Sequence, residues 1–242
     1  MHQYEKSQFI ISLDFELLWG VRDKRTIESY GGNIKGVREA LPGMLHLFEK
    51  YGVRATFATV GFLFAENKFE LTEYIPTELP VYTKKKYSPF ENNYLSRVGK
   101  SEQEDIYHFA FSLIKEIQQF SVHEIASHTF SHFYCLENAS LTSFEADMTA
   151  AKEIAFARNI ELKSIVFPRN QYSKEHIEIC KKLGFIAYRG NERSMFYQPK
   201  KNEEIDPITR AIRLADSYVN ITGHHSFKPV ANDGIVNVPA SR

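Results

Sequence analysis

Apolar residues along the chain alternate between short continuous runs and longer stretches with a helical period. The short runs predict five buried strands, at residues 9–13, 53–60, 122–126, 164–167 and 185–188. The periodic stretches predict five helices, at residues 37–51, 106–120, 142–159, 173–183 and 208–218. Strands and helices that alternate in this order indicate a parallel sheet with helices outside it.

Local signals mark the ends of several predicted helices. Ser101 and Glu104 have the spacing of a capping box, in which each side chain satisfies a backbone N–H at a helix start. Ser173 is predicted to cap the fourth helix and Gly184 to end it, because glycine readily takes the left-handed conformation found there. Pro42 is predicted to break the first helix, since it lacks the N–H that a helix interior needs.

Residues 64–100 show neither a strand period nor a helix period. They contain three prolines, several tyrosines and a lysine run at positions 84–86. Long segments of this kind inside a compact domain are usually functional or disordered, and we expect an irregular excursion that forms a lid or a rim. We predict a single domain over residues 1–242 that contains this insertion, arranged as a closed or partly closed barrel rather than an open sheet.

The bulk composition narrows the classes of function. The chain has 242 residues and a formal net charge of +0, which argues against a basic nucleic-acid surface and against electrostatic docking to a membrane. No apolar run reaches the roughly 20 residues of a membrane span, and residues 1–6 lack a signal-peptide pattern. Cys135 and Cys180 are too few for a disulfide framework. We therefore expect a cytoplasmic chain without a transmembrane segment, whose oligomeric state the sequence does not define.

Polar residues with catalytic potential follow three of the predicted strands. Asp14 and Glu16 follow the first strand, His128 and His132 follow the third, and Arg169 follows the fourth. In parallel α/β folds, catalytic groups collect at the carboxyl ends of the strands. We therefore expect these five side chains to converge.

The pair His128 and His132 has the i, i+4 spacing that places two imidazoles on one side of a helical turn. Alone, such a pair is more often two hydrogen-bonded loop histidines. Combined with a carboxylate from another strand end, the pair forms a three-ligand metal site that leaves positions open for water.

The carboxylates of Asp14 and Glu16 alternate along an extended segment and therefore share a face. One can bind a metal while the other takes a proton from water. The simpler interpretation is a helix cap and a surface charge. Arg169 has the same ambiguity, because a guanidinium can hold a catalytic carboxylate in a bidentate pair or lie free on the surface.

The residues around these positions resemble the polysaccharide deacetylases, also called the NodB-homology family or family 4 carbohydrate esterases. Similarity to the first three family motifs lies at residues 12–16, 123–132 and 167–173. The resemblance extends over residues 9–190. It implies that Asp14 is the catalytic base and that Glu16, His128 and His132 bind a divalent metal. Glu16 stands where the family usually has aspartate.

The same resemblance assigns further roles. Arg169 would position Asp14, although here the proline precedes the arginine. Tyr188 or Arg189 would contact substrate where the family brings an aromatic residue into the cleft. His225, or the histidine before it, is the late histidine available as the general acid.

The implied fold is a distorted (β/α) barrel of about seven strands, incomplete at its C-terminal end. The implied function is the metal-dependent removal of N-acetyl groups from an amino sugar in a surface polysaccharide or its lipid-linked precursor. Zinc is the expected metal, and cobalt, nickel and iron are alternatives. The expected partner is thus a carbohydrate and not a nucleic acid. Two other functions stay open: a catalytically dead barrel that binds a glycan or a partner, and an amidase for a non-sugar amide.

Overall fold

The described strands form one sheet. The computed structural model describes residues 9–191, 207–219, 223 and 226–240. Its strands are β1 Ile11–Phe15, β2 Ala55–Thr59, β3 Glu124–Ser127, β4 Ser164–Val166, β5 Ala187–Gly190, β6 Val230–Asn232 and β7 Ile235–Pro239. Their order is β1-β2-β3-β4-β5-β7-β6, and every neighbouring pair is parallel except β6 with β7. The predicted α/β fold with about seven strands is confirmed, and β6 and β7 are strands that the sequence pattern missed.

The sheet is strongly curved but is not closed. Among the described strands, β1 and β6 are the two edges and do not pair with each other. A flat sheet would separate β1 from β5 by about 19 Å, which is four strand spacings. The Arg189 guanidinium on β5 nevertheless donates a hydrogen bond to the Ser12 hydroxyl on β1. The curvature therefore brings the two halves of the sheet face to face, as in a distorted barrel.

Six helices accompany the strands in the described part of the chain. They are α1 Ile27–Lys50, α2 Lys68–Glu73, α3 Phe111–Gln119, α4 Leu141–Phe156, α5 Lys174–Lys182 and α6 Pro207–Asp216. Helix α1 begins ten residues before the predicted residue 37 and continues through Pro42. Thr26 and Ser29 form a reciprocal capping box at its start. The apolar pattern missed this first part because Gly31 and Gly32 interrupt it.

The capping box predicted at Ser101 and Glu104 forms a turn but does not begin a helix. The Glu104 carboxylate accepts a hydrogen bond from a preceding backbone N–H at 3.1 Å. Helix α3 starts only at Phe111. In the segment before α3, the Arg38 guanidinium from α1 donates a hydrogen bond to the Ile106 carbonyl oxygen at 2.9 Å.

Residues 64–100 contain the short helix α2 and two 3-10 helices, Lys85–Tyr87 and Leu95–Arg97, and otherwise consist of turns and irregular chain. Tyr82 and Tyr87 of this excursion pack against Tyr134, which follows β3, in a buried aromatic cluster. The ring centroids of Tyr87 and Tyr134 are 5.1 Å apart. The excursion therefore packs beside the loop that carries the two histidines.

The described helices include none that is both long enough and apolar enough to cross a bilayer.

Trp19 anchors the turn after β1 in the core. Its side chain is fully buried, and its Nε1 donates a hydrogen bond to the His108 carbonyl oxygen at 2.8 Å. Its ring meets the edge of Phe62 with the centroids 4.5 Å apart. Because Trp19 belongs to the short 3-10 helix Leu17–Gly20, this packing fixes the direction in which the chain leaves β1, and with it the position of Glu16.

Candidate metal site

Three of the predicted ligands lie together. Oε2 of Glu16 is 3.2 Å from Nε2 of His128 and 3.0 Å from Nε2 of His132. One ligand atom from each residue lies within 4.8 Å of the others. Glu16 follows β1 and the histidines follow β3, two strands that flank β2. The expected convergence at the carboxyl ends of the strands therefore occurs for these three side chains.

The loop that presents His128 and His132 is not a helical turn, so that part of the prediction is wrong. The segment after β3 is irregular, and two of its residues, Thr129 (φ 63°) and His132 (φ 58°), have left-handed backbone conformations. Non-glycine residues adopt this region uncommonly. The surrounding contacts must therefore hold the loop in place.

Asp147 on α4 holds this loop. Its buried carboxylate accepts hydrogen bonds from the N–H of Phe130 at 2.7 Å, from the N–H of Ser131 at 3.1 Å and from the Ser131 hydroxyl. The Thr129 hydroxyl adds a further bond by accepting from the N–H of Phe133 at 2.7 Å. Sequence reasoning missed Asp147, although a carboxylate on the apolar side of the predicted helix 142–159 was an available signal.

The hydrogen bonding of His128 sets its tautomer. Nδ1 donates to the Val166 carbonyl oxygen at 2.8 Å, so the neutral ring carries its lone pair on Nε2. Among the described residues, this buried Nε2 has no well-aligned hydrogen-bond partner. A ring held by Nδ1 with a free Nε2 is the arrangement of a metal-ligating histidine.

Charge interactions couple the three side chains. Burial raises the pKa of Glu16, but the close imidazoles of His128 and His132 outweigh it and hold that pKa well below its ordinary value. Burial lowers the pKa of His128, but Glu16 and Asp14 overcome this effect and raise it. Burial, together with the charges of His128 and Arg22, lowers the pKa of His132. The site therefore favours an ionised carboxylate beside imidazole.

Gly20 gives the Glu16 carboxylate its space. A methyl group built on Gly20 would overlap the carboxylate carbon and both carboxylate oxygens of Glu16. Glycine at the end of the 3-10 helix is therefore part of the site, because any side chain there would displace the ligand. The sequence offered a weak signal, a glycine four residues after the second acid of the pair.

Asp14 and Arg169 do not form the predicted pair. Asp14 is exposed at the end of β1, close enough to His128 for its charge to raise the pKa of that histidine. Arg169 instead binds Asp23, with its guanidinium nitrogen 2.6 Å from a carboxylate oxygen. The guanidinium also lies 4.1 Å from the ring centroid of Tyr134. The prediction that Arg169 positions Asp14 is therefore wrong, because Arg169 pairs with the fully buried side chain of Asp23 instead.

The two predicted substrate contacts have different surroundings. Tyr188 is buried, and its ring centroid lies 5.6 Å from that of Tyr172 and 6.4 Å from that of Phe167. Arg189 is partly buried and reaches Ser12 across the curved sheet. His225 and the histidine before it lie outside the described residues.

We expect a pH-dependent contribution of Asp147 to stability. Burial raises the pKa of its carboxyl from 3.8 to about 7, against the opposing hydrogen bonds. Because this value lies above that of the unfolded chain, the contribution is fully present below about pH 4 and is lost as the pH rises through about 7. The free energy of unfolding of the parent, relative to Asp147→Asn, should therefore fall over this range. Chemical denaturation of both proteins, free of metal, at several pH values measures it, and a constant or rising difference would contradict it.

Together, the fold and the site define an α/β protein with a carboxylate and two imidazoles clustered at the carboxyl ends of its strands. Residues 32–188 match the family model described as polysaccharide deacetylase. This match covers more than half of the chain, and the chain belongs to the polysaccharide deacetylase family. The matched region contains His128, His132 and Arg169 and begins after Asp14 and Glu16.

One solved structure with a similar fold is a Mycobacterium smegmatis protein described as a polysaccharide deacetylase. Its TM-score is 0.51 and its sequence identity is 12%, over 96% of this chain and 58% of that chain. A family 4 carbohydrate esterase pseudoenzyme from Bacillus anthracis has a TM-score of 0.41 at 14% identity, over 74% of this chain and 42% of that chain. A family 4 carbohydrate esterase from Streptomyces lividans, in complex with acetate, has a TM-score of 0.40 at 13% identity, over 73% of this chain and 59% of that chain.

The chain thus spans 42% to 59% of the length of these three proteins. At such low identity, the likeness to the M. smegmatis structure supports the fold alone. No curated protein matches the sequence.

Proposed function

We propose that the chain is a metal-dependent hydrolase that removes N-acetyl groups from an amino sugar in a surface polysaccharide or its lipid-linked precursor. The observation that carries this proposal is the cluster of Glu16, His128 and His132 at the ends of β1 and β3. Membership of the polysaccharide deacetylase family supports deacetylation of a sugar polymer. The metal, the particular sugar and a cytoplasmic location go beyond the family assignment and belong to the proposal.

The donor atoms fit a divalent metal. With its proton on Nδ1, His128 directs the Nε2 lone pair towards a Glu16 oxygen only 3.2 Å away. Two electron-rich atoms at this distance repel each other unless a proton or a metal cation lies between them, and a divalent metal can replace the proton on Nε2. Two imidazole nitrogens and one carboxylate oxygen are a known donor set of catalytic zinc sites, and cobalt, nickel or iron also suit it.

The surrounding residues supply the remaining functions. A metal bound there would polarise the acetyl carbonyl and lower the pKa of water. Asp14, exposed beside His128, accepts a proton from the attacking water. The water oxygen joins the acetyl carbon, the carbon–nitrogen bond breaks, and the nitrogen takes up a proton to leave as the free amine, with acetate as the second product. His225 stays the predicted donor of that proton.

Replacing His132 with alanine tests the metal site. We expect the purified parent to hold close to one equivalent of divalent metal and the His132→Ala variant to hold little, because one of three protein ligands is lost. Elemental mass spectrometry of both proteins, prepared identically and reconstituted with zinc, measures this. Equal metal content in the two proteins would remove the basis of the three-ligand site.

Replacing Asp14 with asparagine tests the base. We expect turnover of an N-acetylated amino-sugar oligomer to fall about a hundredfold, at the low end for loss of a general base, because water can partly replace an exposed carboxylate. Metal content should stay at the parent level. Acetate release, measured for both proteins beside metal content, provides the comparison, and unchanged turnover would show that Asp14 is not the base.

A panel of substrates that includes N-acetylated sugars and non-sugar amides separates the alternatives. Bound metal without turnover of any N-acetylated sugar would favour a catalytically dead barrel that binds a glycan. Turnover of a cyclic or other non-sugar amide in place of the sugar would favour an amidase.

A further inference from the structure

A cavity of about 450 Å³ lies between the turn after β1, the start of α1 and the excursion. Its walls carry four cationic side chains and two carboxylates: Arg22, Arg25, Lys86, Arg97, Glu28 and Glu91. The cavity therefore has an excess of two positive charges. It does not contain Glu16, His128 or His132, but Arg22 connects it to the candidate metal site, since the charge of Arg22 acts on His132.

The arginines in this cavity have hydrogen-bond donors that are not used within the described part of the chain. Arg25 and Arg97 are exposed and make no ion pair with any described carboxylate. Arg22 donates to the Lys86 carbonyl oxygen at 2.8 Å and to the Tyr87 carbonyl oxygen. Its Nε is buried and has no hydrogen-bond partner in the described part of the chain. A guanidinium has five N–H donors, and these contacts leave several of them for a ligand.

A hydrogen-bonded chain makes the wall of the cavity rigid. Asp105 lies 2.8 Å from Nδ1 of His108, and Nε2 of His108 lies 2.8 Å from the Tyr94 hydroxyl. The guanidinium carbons of Arg22 and Arg97 each lie 5.4 Å from the Tyr94 ring centroid, within the range of cation–π attraction. Tyr94 is thus held by His108 and has two guanidiniums near its ring, which reduces the entropy cost of binding an anion.

We propose that this cavity binds a phosphate group, carried either by a soluble phosphorylated molecule or by a lipid headgroup. The planar forks of arginine match the oxygens of phosphate, and each arginine can bind two of them. Several guanidiniums around one cavity suit a multiply charged phosphate better than a singly charged carboxylate. This site is separate from the metal ligands and does not depend on the proposed deacetylation.

The binding of pyrophosphate to the full chain, stripped of metal by a chelator, tests the proposal by isothermal titration calorimetry. We expect saturable binding to the parent. The double variant Arg25→Gln and Arg97→Gln should bind at least about tenfold more weakly, because charge-assisted hydrogen bonds are lost. Arg54→Gln is the matched control, since Arg54 is exposed and lies outside the cavity. His132→Ala should bind like the parent, which separates this result from any failure of the metal site.

Three outcomes would overturn the phosphate site: no saturable binding to the parent, equal affinity in the parent and the double variant, or an equal loss in Arg54→Gln. Acetate that binds as tightly as pyrophosphate would overturn the assignment to phosphate. Sedimentation with phosphatidylcholine vesicles, with and without phosphatidic acid, distinguishes the two sources. Arginine-dependent binding to the acidic vesicles supports a lipid phosphate, and pyrophosphate binding without vesicle binding supports a soluble one.

Discussion

Replacing Gly20 with alanine is expected to remove the metal from the candidate site and leave the fold intact. The added methyl group would occupy the space of the Glu16 carboxylate, the flexible end of a long side chain. The carboxylate can swing away at little cost to the fold, but it then no longer faces His128 and His132. Loss of a residue that hydrogen-bonds to a metal ligand typically costs about 10–100-fold in metal affinity. Because Gly20→Ala displaces the ligand itself, we expect metal affinity to fall about a hundredfold or more, with a parallel loss of turnover.

Zinc titration and chemical denaturation together measure this result. Gly20 has no left-handed backbone conformation, so alanine should not lower the free energy of unfolding, and a smaller loss of chain entropy on folding favours it by about 0.4–1 kcal/mol. Gly32→Ala in α1 is the matched control, because beyond the adjacent helix backbone no described atom lies within 4 Å of its added methyl group. Parent-like zinc affinity in Gly20→Ala would show that Glu16 is not a ligand in its observed position.

Replacing Asp147 with alanine is expected to destabilise the folded chain by about 4 kcal/mol, which is roughly a thousandfold in the folding equilibrium. The substitution leaves the buried N–H groups of Phe130 and Ser131 and the Ser131 hydroxyl without their acceptor. Each unsatisfied buried donor costs about 1–3 kcal/mol. The loop between His128 and His132 also loses its main support, so zinc affinity should fall together with stability.

Urea denaturation of the metal-free proteins at about pH 6 measures the stability difference. Ser131→Ala is the control, because it removes one donor to Asp147 but leaves the two backbone N–H groups satisfied. We expect this variant to lose only about 1 kcal/mol. A loss below about 1 kcal/mol in Asp147→Ala itself would mean that another group satisfies the loop.

The elements that could be predicted from the sequence are those that depend on residues close together in the chain. Strands β1 to β5 are short apolar runs, and their order alone predicted the parallel sheet. The convergence of Glu16, His128 and His132 followed from the general rule that functional groups collect at the carboxyl ends of such strands, and the resemblance to the polysaccharide deacetylases selected these three as the ligands. Neither inference required knowledge of which side chains pair across long distances.

The errors concern partners that only the folded chain brings together. Arg169 binds Asp23, 146 residues earlier in the sequence, and no local pattern distinguishes that carboxylate from Asp14. The segment before α3 is contacted by Arg38, a residue of another helix. The final strand β7 contains a proline and pairs with β5 only because the chain returns to that edge of the sheet. All three contacts join parts of the chain that are distant in the sequence.

The buried Trp19 is an intrinsic fluorescent probe. Trp19 is the single tryptophan of the sequence, so the tryptophan fluorescence of the protein comes from one buried indole. Trp19 directly precedes Gly20 in the same short 3-10 helix, and the Glu16 carboxylate packs against Gly20. A change in this turn when a ligand binds Glu16 would therefore alter the wavelength or lifetime of the emission, with no label attached.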